Sequence, residues 1–165
     1  MKVTFDAEAF IDAVNPGRRE FAALQKLILA RDNGRLVIAV SEHTLHQLEK
    51  KPDSALDLAR TAERLPYYPI GTWDDLVGTW DSLTGTWDDI DRNDAIRQEL
   101  HSLAKAGADI RDLGACIDSL HARVDLFVTA DSDLCGAGPA KRIADRFGLH
   151  IVTPTQLANE LSGEP

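Results

Sequence analysis

The chain has 165 residues, 44% of them hydrophobic, and a formal net charge of −9. That much apolar material supports one domain with its own core, spanning residues 1–165. The acidic balance excludes steering to nucleic acid by the overall field, so any such role needs a local basic patch. No run approaches the roughly 18 apolar residues of a membrane span, and the opening MKVTFDAEAF has no signal-peptide core. A soluble, cytoplasmic protein is therefore expected. Cys116 and Cys135 lack metal or redox spacing and read as reduced thiols.

Lys2 to Asp6 reads as a first strand. Asp6 either ends that strand at a functional edge or caps a helix from Ala7 to Val14. After the Asn15-Pro16-Gly17 turn, Phe21, Leu24, Leu27 and Ile28 line one face of a helix from Glu20 to Ala30. Leu36 to Val40 is a short apolar run and predicts a buried strand. Ser41 then caps a helix from Glu42 to Lys50, which carries Glu42, Gln47 and Glu49 as the polar groups near the rim of the sheet. A further helix is predicted from Ala55 to Arg64.

Residues 65–70 form a linker with two prolines. Three tandem heptads follow: GTWDDLV (71–77), GTWDSLT (78–84) and GTWDDID (85–91). They hold six Asp, and no Lys or Arg occurs from 65 to 91, so without them the charge is −9 + 6 = −3. Trp73, Leu76, Trp80, Leu83, Trp87 and Ile90 alternate three and four apart, as in a helical seam. Gly71, Gly78 and Gly85 oppose a continuous helix, each by about 1 kcal/mol. The repeats read either as an insertion packed on its own domain or as a docking surface built on Trp.

A helix is expected from Asp91 to Ala106, and the most informative stretch comes next: DIRDLGACIDSLHARVDLFVTADSDL, residues 109–134. Leu113, Cys116, Ile117 and Leu120 make one apolar face of a helix from Asp112 to about Arg123. Asp125 to Thr129 reads as a buried parallel strand, and it stops at Asp131. Residues 134–139 read as a loop, Ala140 to Phe147 as a basic helix, His150 to Val152 as a last strand, and Thr153-Pro154 as the start of a terminal helix. Strands alternating with helices predict an α/β fold, a three-layer sandwich around a central parallel sheet of about five strands. In such sheets ligands bind beyond the carboxyl ends of the strands, where Asp6 and Asp131 would lie together if their strands are neighbours.

Strand-Asp6, the strand-Ser41-helix unit, Asp109-Ile-Arg-Asp112, Thr129-Ala-Asp131-Ser-Asp133 and the closing His-Ile-Val-Thr-Pro together resemble the PIN-domain family, over nearly the whole chain apart from the Trp repeats. That family contains metal-dependent ribonucleases, many of them VapC-like toxins of VapBC-type toxin–antitoxin pairs. The resemblance implies Asp6, Asp112 and Asp131 as metal ligands, Thr129 as the hydroxyl beside the last acid, and Asp109 and Asp133 as supporting acids. It also implies Mg²⁺ or Mn²⁺, an RNA substrate, an antitoxin partner and a homodimer. One position departs from the pattern. Where the family has Glu six residues after the Ser that ends the second strand, this chain has Gln47. Glu42 is the alternative on the same helix, although about 140° of helix turn separates the two.

Clustered carboxylates stay ionised together only when cations neutralise them, and hard oxygen donors suit Mg²⁺ or Mn²⁺. Lys141, Arg142 and Arg146 are candidate phosphate-binding cations, with Arg18, Arg19, Arg111 and His43 as others; His43 and His46 also form a possible helical pair. Two further readings remain open: a PIN fold that has lost catalysis and works as an interaction module, which Gln47 favours, and a receiver-like phosphotransfer domain.

Overall fold

A computed structural model of the chain describes residues 1–51, 53–68, 87–104 and 110–163. Its centre is the first strand, β1 (Lys2–Phe5), which pairs in parallel with β2 (Val37–Val40) on one side and β4 (Leu126–Val128) on the other. β3 (Glu63–Arg64) joins β2, and β5 (His150–Val152) joins β4. Among the described residues the sheet is five-stranded and all parallel, in the order β3-β2-β1-β4-β5.

Residues on successive strand positions face opposite ways, and here each face has its own core. Val3, Phe5, Ile38, Val40 and Val128 pack with α1 (Ala7–Ala13), α2 (Phe21–Asp32), α4 (Asp53–Arg60) and α9 (Pro154–Ser162). Phe127 and Ile151 pack on the other face with α5 (Trp87–Leu103), α6 (Ile110–His121) and α8 (Ala137–Phe147). The result is the expected three-layer α/β architecture. α3 (Glu42–Leu48) contributes Leu45 and Leu48 to the first core and also lies against α6.

Three elements differ from the sequence reading. The helix predicted to run to Arg64 stops at Arg60, and Glu63–Arg64 pairs with Ala39 and Val40 as the edge strand β3. The open edge of β2 supplies the reason: its carbonyl groups need donors, and Leu65 N–H donates to Val40 O. The predicted loop at 134–139 is instead α7 (Ser132–Cys135) followed by the first turn of α8. Pro139 sits within that turn, where its missing N–H leaves no helical bond unmade. Finally, α5 begins at Trp87, inside the third heptad, and ends at Leu103. The conformation of the repeats over 71–86 lies outside the described residues.

α6 fastens the chain on both sides of the repeats. Asp118 Oδ1 accepts from Tyr68 N–H at 3.0 Å, and the Tyr68 ring stacks on His121 at 4.0 Å between centroids. His121 Nε2 lies 2.8 Å from Asn93 Oδ1 of α5. α6 ends in a left-handed residue, Arg123 (φ 51°), with Arg123 N–H on Leu120 O and Val124 N–H on Ser119 O. This is the usual helix-ending turn, but with Arg at the position that favours Gly.

Candidate functional site

The order β3-β2-β1-β4-β5 makes the β1–β4 junction the point where the sheet is built outward in both directions, and ligand crevices open at the carboxyl end of such a junction. Phe5 is aligned with Val128, so Asp6 and Thr129 are the next residues beyond two neighbouring strands. Asp6 is 2% exposed. Its Oδ1 caps α1 by accepting Ala9 N–H at 2.7 Å, and the Thr129 hydroxyl donates to its carboxylate. Thr129 Oγ1 in turn accepts Asp131 N–H at 2.9 Å. The hydroxyl therefore ties the end of β1 to the turn after β4 and fixes the orientation of Asp6. Both candidate roles of Asp6, helix cap and edge acid, are compatible: one oxygen can cap while the carboxylate stays at the rim.

Asp112 is half-buried in the first turn of α6 and is close enough to raise the pKa of Asp6 by charge repulsion. Burial is the larger cause, and together they push the Asp6 carboxyl up to about 7 despite the bonds from Thr129 and Ala9. Gln47 faces Asp112 across the α3–α6 contact: Nε2 donates to Asp112 Oδ1 at 3.1 Å. Gln47 Oε1 is buried and has no hydrogen-bond partner. A buried amide oxygen with no hydrogen-bond partner, on a side chain bonded to a carboxylate, is a lone pair available to an electrophile.

The remaining predicted site residues divide. Asp131 caps α7, accepting Asp133 N–H at 2.9 Å, and both Asp131 and Asp133 are half-buried on the same side as Asp6. Glu42 turns elsewhere. Its carboxylate lies 3.9 Å from the Arg64 guanidinium, and its charge is felt by Asp118. The helix turn that separates Glu42 from Gln47 thus directs only Gln47 to Asp112. Asp109 and the side chain of Arg111 lie outside the described residues. His43 and His46 do not act as a pair: His43 is buried against α6, whereas His46 Nδ1 lies 3.1 Å from Glu49.

The basic helix does not present free cations to the rim. Lys141 pairs with Asp145, Arg142 donates two hydrogen bonds to Leu103 O at the end of α5, and Arg146 pairs with Glu99. The Arg142 and Arg146 contacts dock α8 on α5, and the Lys141–Asp145 pair lies within α8. Arg18 is engaged by Glu8 and Asp12, and Arg19 lies 3.8 Å from Glu20.

Two residues near the site had no functional role assigned from the sequence, where Cys116 reads only as a reduced thiol on the apolar face of its helix. Cys116 is buried, and burial together with the charges of Asp112, Asp6 and Asp118 pushes its thiol well up, so it stands inert behind the acids. Gly114, mid-helix in α6, meets the His43 ring. A glycine within an amphipathic helix was its only trace in the sequence.

Among the described residues, no group of three or more His, Cys, Asp or Glu side chains is arranged to hold a metal ion by itself. The donor set that fits a hard cation is smaller: Asp6, Asp112 and the unpartnered Gln47 oxygen. Mg²⁺ is commonly bound through one or two carboxylates with water completing its shell, so that set is chemically sufficient.

No family model matches the chain, and no curated protein matches it. Its fold does match solved structures. One is described as VapBC2 from Rickettsia felis bound to a DNA fragment from their promoter, with a TM-score of 0.54, 15% sequence identity and coverage of 93% of this chain and 98% of that one. At that identity the likeness defines the fold alone: the protein is an α/β chain with a PIN-like architecture. Among the described residues, no helix is long and apolar enough to cross a membrane.

Proposed function

We propose that this protein is a metal-dependent endoribonuclease, working as the toxin of a toxin–antitoxin pair in the cytoplasm. One observation carries the reading: beyond the β1–β4 junction Asp112 acts on the buried Asp6 and accepts a hydrogen bond from Gln47, whose buried oxygen has no hydrogen-bond partner. Asp6, Asp112 and Gln47 would hold a Mg²⁺ or Mn²⁺ ion, with Asp131 and Asp133 on the flank toward the substrate. Such an ion, when bound, supplies Lewis acidity and an activated water for in-line displacement at phosphorus.

The chain's own groups do the rest. Thr129 holds the Asp6 carboxylate in place, and Gln47 Nε2 holds Asp112. Asp6, raised to about 7, exchanges its proton near neutral pH and so can release it as a cation arrives. The acids repel a phosphodiester until they are neutralised, which makes substrate entry depend on the cation. With Lys141, Arg142 and Arg146 committed to other contacts, single-stranded or structured RNA would be drawn by the neutralised site rather than by a broad basic face. An antitoxin partner follows from the same reading, supported by the fold match to a VapBC assembly, and a second copy of the chain is a further candidate partner.

The interaction-module reading has one observation in its favour: Gln47 brings no charge and already satisfies Asp112. Calorimetric titration of Mn²⁺ into wild type and Asp112→Asn, with RNA cleavage on the same samples, separates the two. The nuclease reading expects wild-type binding and cleavage that both collapse in the variant. A wild type that binds no Mn²⁺ overturns it and leaves the interaction module.

A further inference from the structure

α3 is only seven residues long, Glu42–Leu48, so few contacts decide how it lies on α6. His43 and Gln47 are one turn apart and share the face toward α6. The His43 ring is 1% exposed and lies directly on the α6 backbone: a Cβ added at Gly114 would stand 2.7 Å from two of its ring carbons. The Tyr67 ring also meets it edge-on at 5.3 Å between centroids, and His43 Nε2 lies 3.5 Å from Tyr68 O. The imidazole is therefore a flat spacer on the helix backbone, held there by residues 67 and 68. Gly114 is two residues from Asp112, and Gln47 is four residues from His43. The interhelix distance set at Gly114 is thus the distance across which the Gln47 amide must reach.

We propose that His43 is a positioning residue for the site. Its ring against Gly114 sets the α3–α6 spacing, which keeps Gln47 Nε2 on Asp112 and leaves Gln47 Oε1 facing the acids as a donor. Any substitution that thins or thickens the spacer moves the amide. A Gln side chain has three rotatable bonds and one hydrogen bond here, so it does not hold that place unaided.

This rests on the metal reading above for its consequence, but not for its geometry. Two measurements separate them. In the metal-free protein, exchange protection of the Gln47 side-chain NH₂ by NMR reports its bond to Asp112. We expect it to fall in both His43→Ala and Gly114→Ala, which perturb the contact from opposite sides. Mn²⁺ affinity should fall about tenfold in either variant, the usual scale for a residue that orients a ligand. His43→Ala combined with Gln47→Ala should bind no more weakly than Gln47→Ala alone. Unchanged NH₂ protection in both single variants, or losses of affinity that multiply in the double variant, would overturn the proposal. If wild type binds no Mn²⁺, the metal reading falls, while the exchange measurement still decides whether His43 positions Gln47.

Discussion

Asp6 and Asp118 are both buried carboxylates with raised pKa values, and both owe the shift first to burial. Their surroundings differ. Asp6 sits where two strands end, bonded by a hydroxyl and an amide and crowded by the charge of Asp112. Asp118 sits in the last turn of α6, receives the Tyr68 N–H and carries a second oxygen with no hydrogen-bond partner. One stands at the carboxyl end of the sheet near other acids; the other accepts the Tyr68 N–H and fastens the chain to the helix. Burial alone therefore does not mark a functional acid. Position separates them: Asp6 follows the end of β1 beside β4, with Asp112 acting on it and Gln47 bonded to Asp112, whereas Asp118 lies within a helical layer, bonded by a backbone amide and acted on by Glu42.

The largest effects should fall on Mn²⁺ binding. Asp112→Asn should weaken it by roughly 100-fold or more, whereas Asp118→Asn should leave it within about twofold, read by calorimetry. The same Asp112→Asn change removes a charge that raises Asp6, so the Asp6 carboxyl should titrate lower, as followed by carbon NMR. Equal losses at the two sites would erase the distinction between them.

Gln47→Glu sharpens the comparison from the other direction by adding a charge to the Asp6 side alone. The metal-free variant should lose about 1 kcal/mol of stability at pH 7 from carboxylate repulsion. Its Mn²⁺ affinity should rise roughly tenfold, since charge count tunes such sites. A denaturant series with and without Mn²⁺ reads both.

Asp118 should appear in the pH dependence of folding. Its folded pKa lies well above the ordinary 3.8, so the folded state holds a proton that the unfolded chain releases. The stability tied to that proton is fully present below 3.8 and is lost as pH rises toward the folded value. Asp118→Asn cannot ionise, so its stability relative to wild type should improve as pH rises above 3.8, read by urea unfolding across a pH series. The smallest effect tests α6 itself. Arg123→Gly relieves the left-handed residue at the helix end and should add about 0.5–1 kcal/mol, with no change at either acid.

Much of the fold could be read from periodicity. β1, β2, β4 and β5 are short runs of strand-forming residues bounded by polar breaks, three-four spacing marks α2 and α6, and Thr153-Pro154 marks the start of α9. β3 escaped because Glu63 and Arg64 are polar, exposed and form a strand only through the open edge of β2. The positions of Asp6 and Asp131 were legible because a strand's last residue faces the carboxyl rim of a parallel sheet. Helix geometry also separated Gln47 from Glu42. The Gln47–Asp112 contact, the His43–Gly114 packing and the burial of Asp118 were not legible, since each depends on helices distant in sequence lying together. On the helix alone, Asp118 reads as any other polar residue.

Tyr68 and Asn93, 25 residues apart in sequence, are fastened to one histidine. His121 is therefore a single clasp for two segments, and a substitution there weakens both attachments in one step, where two separate anchors would fail one at a time.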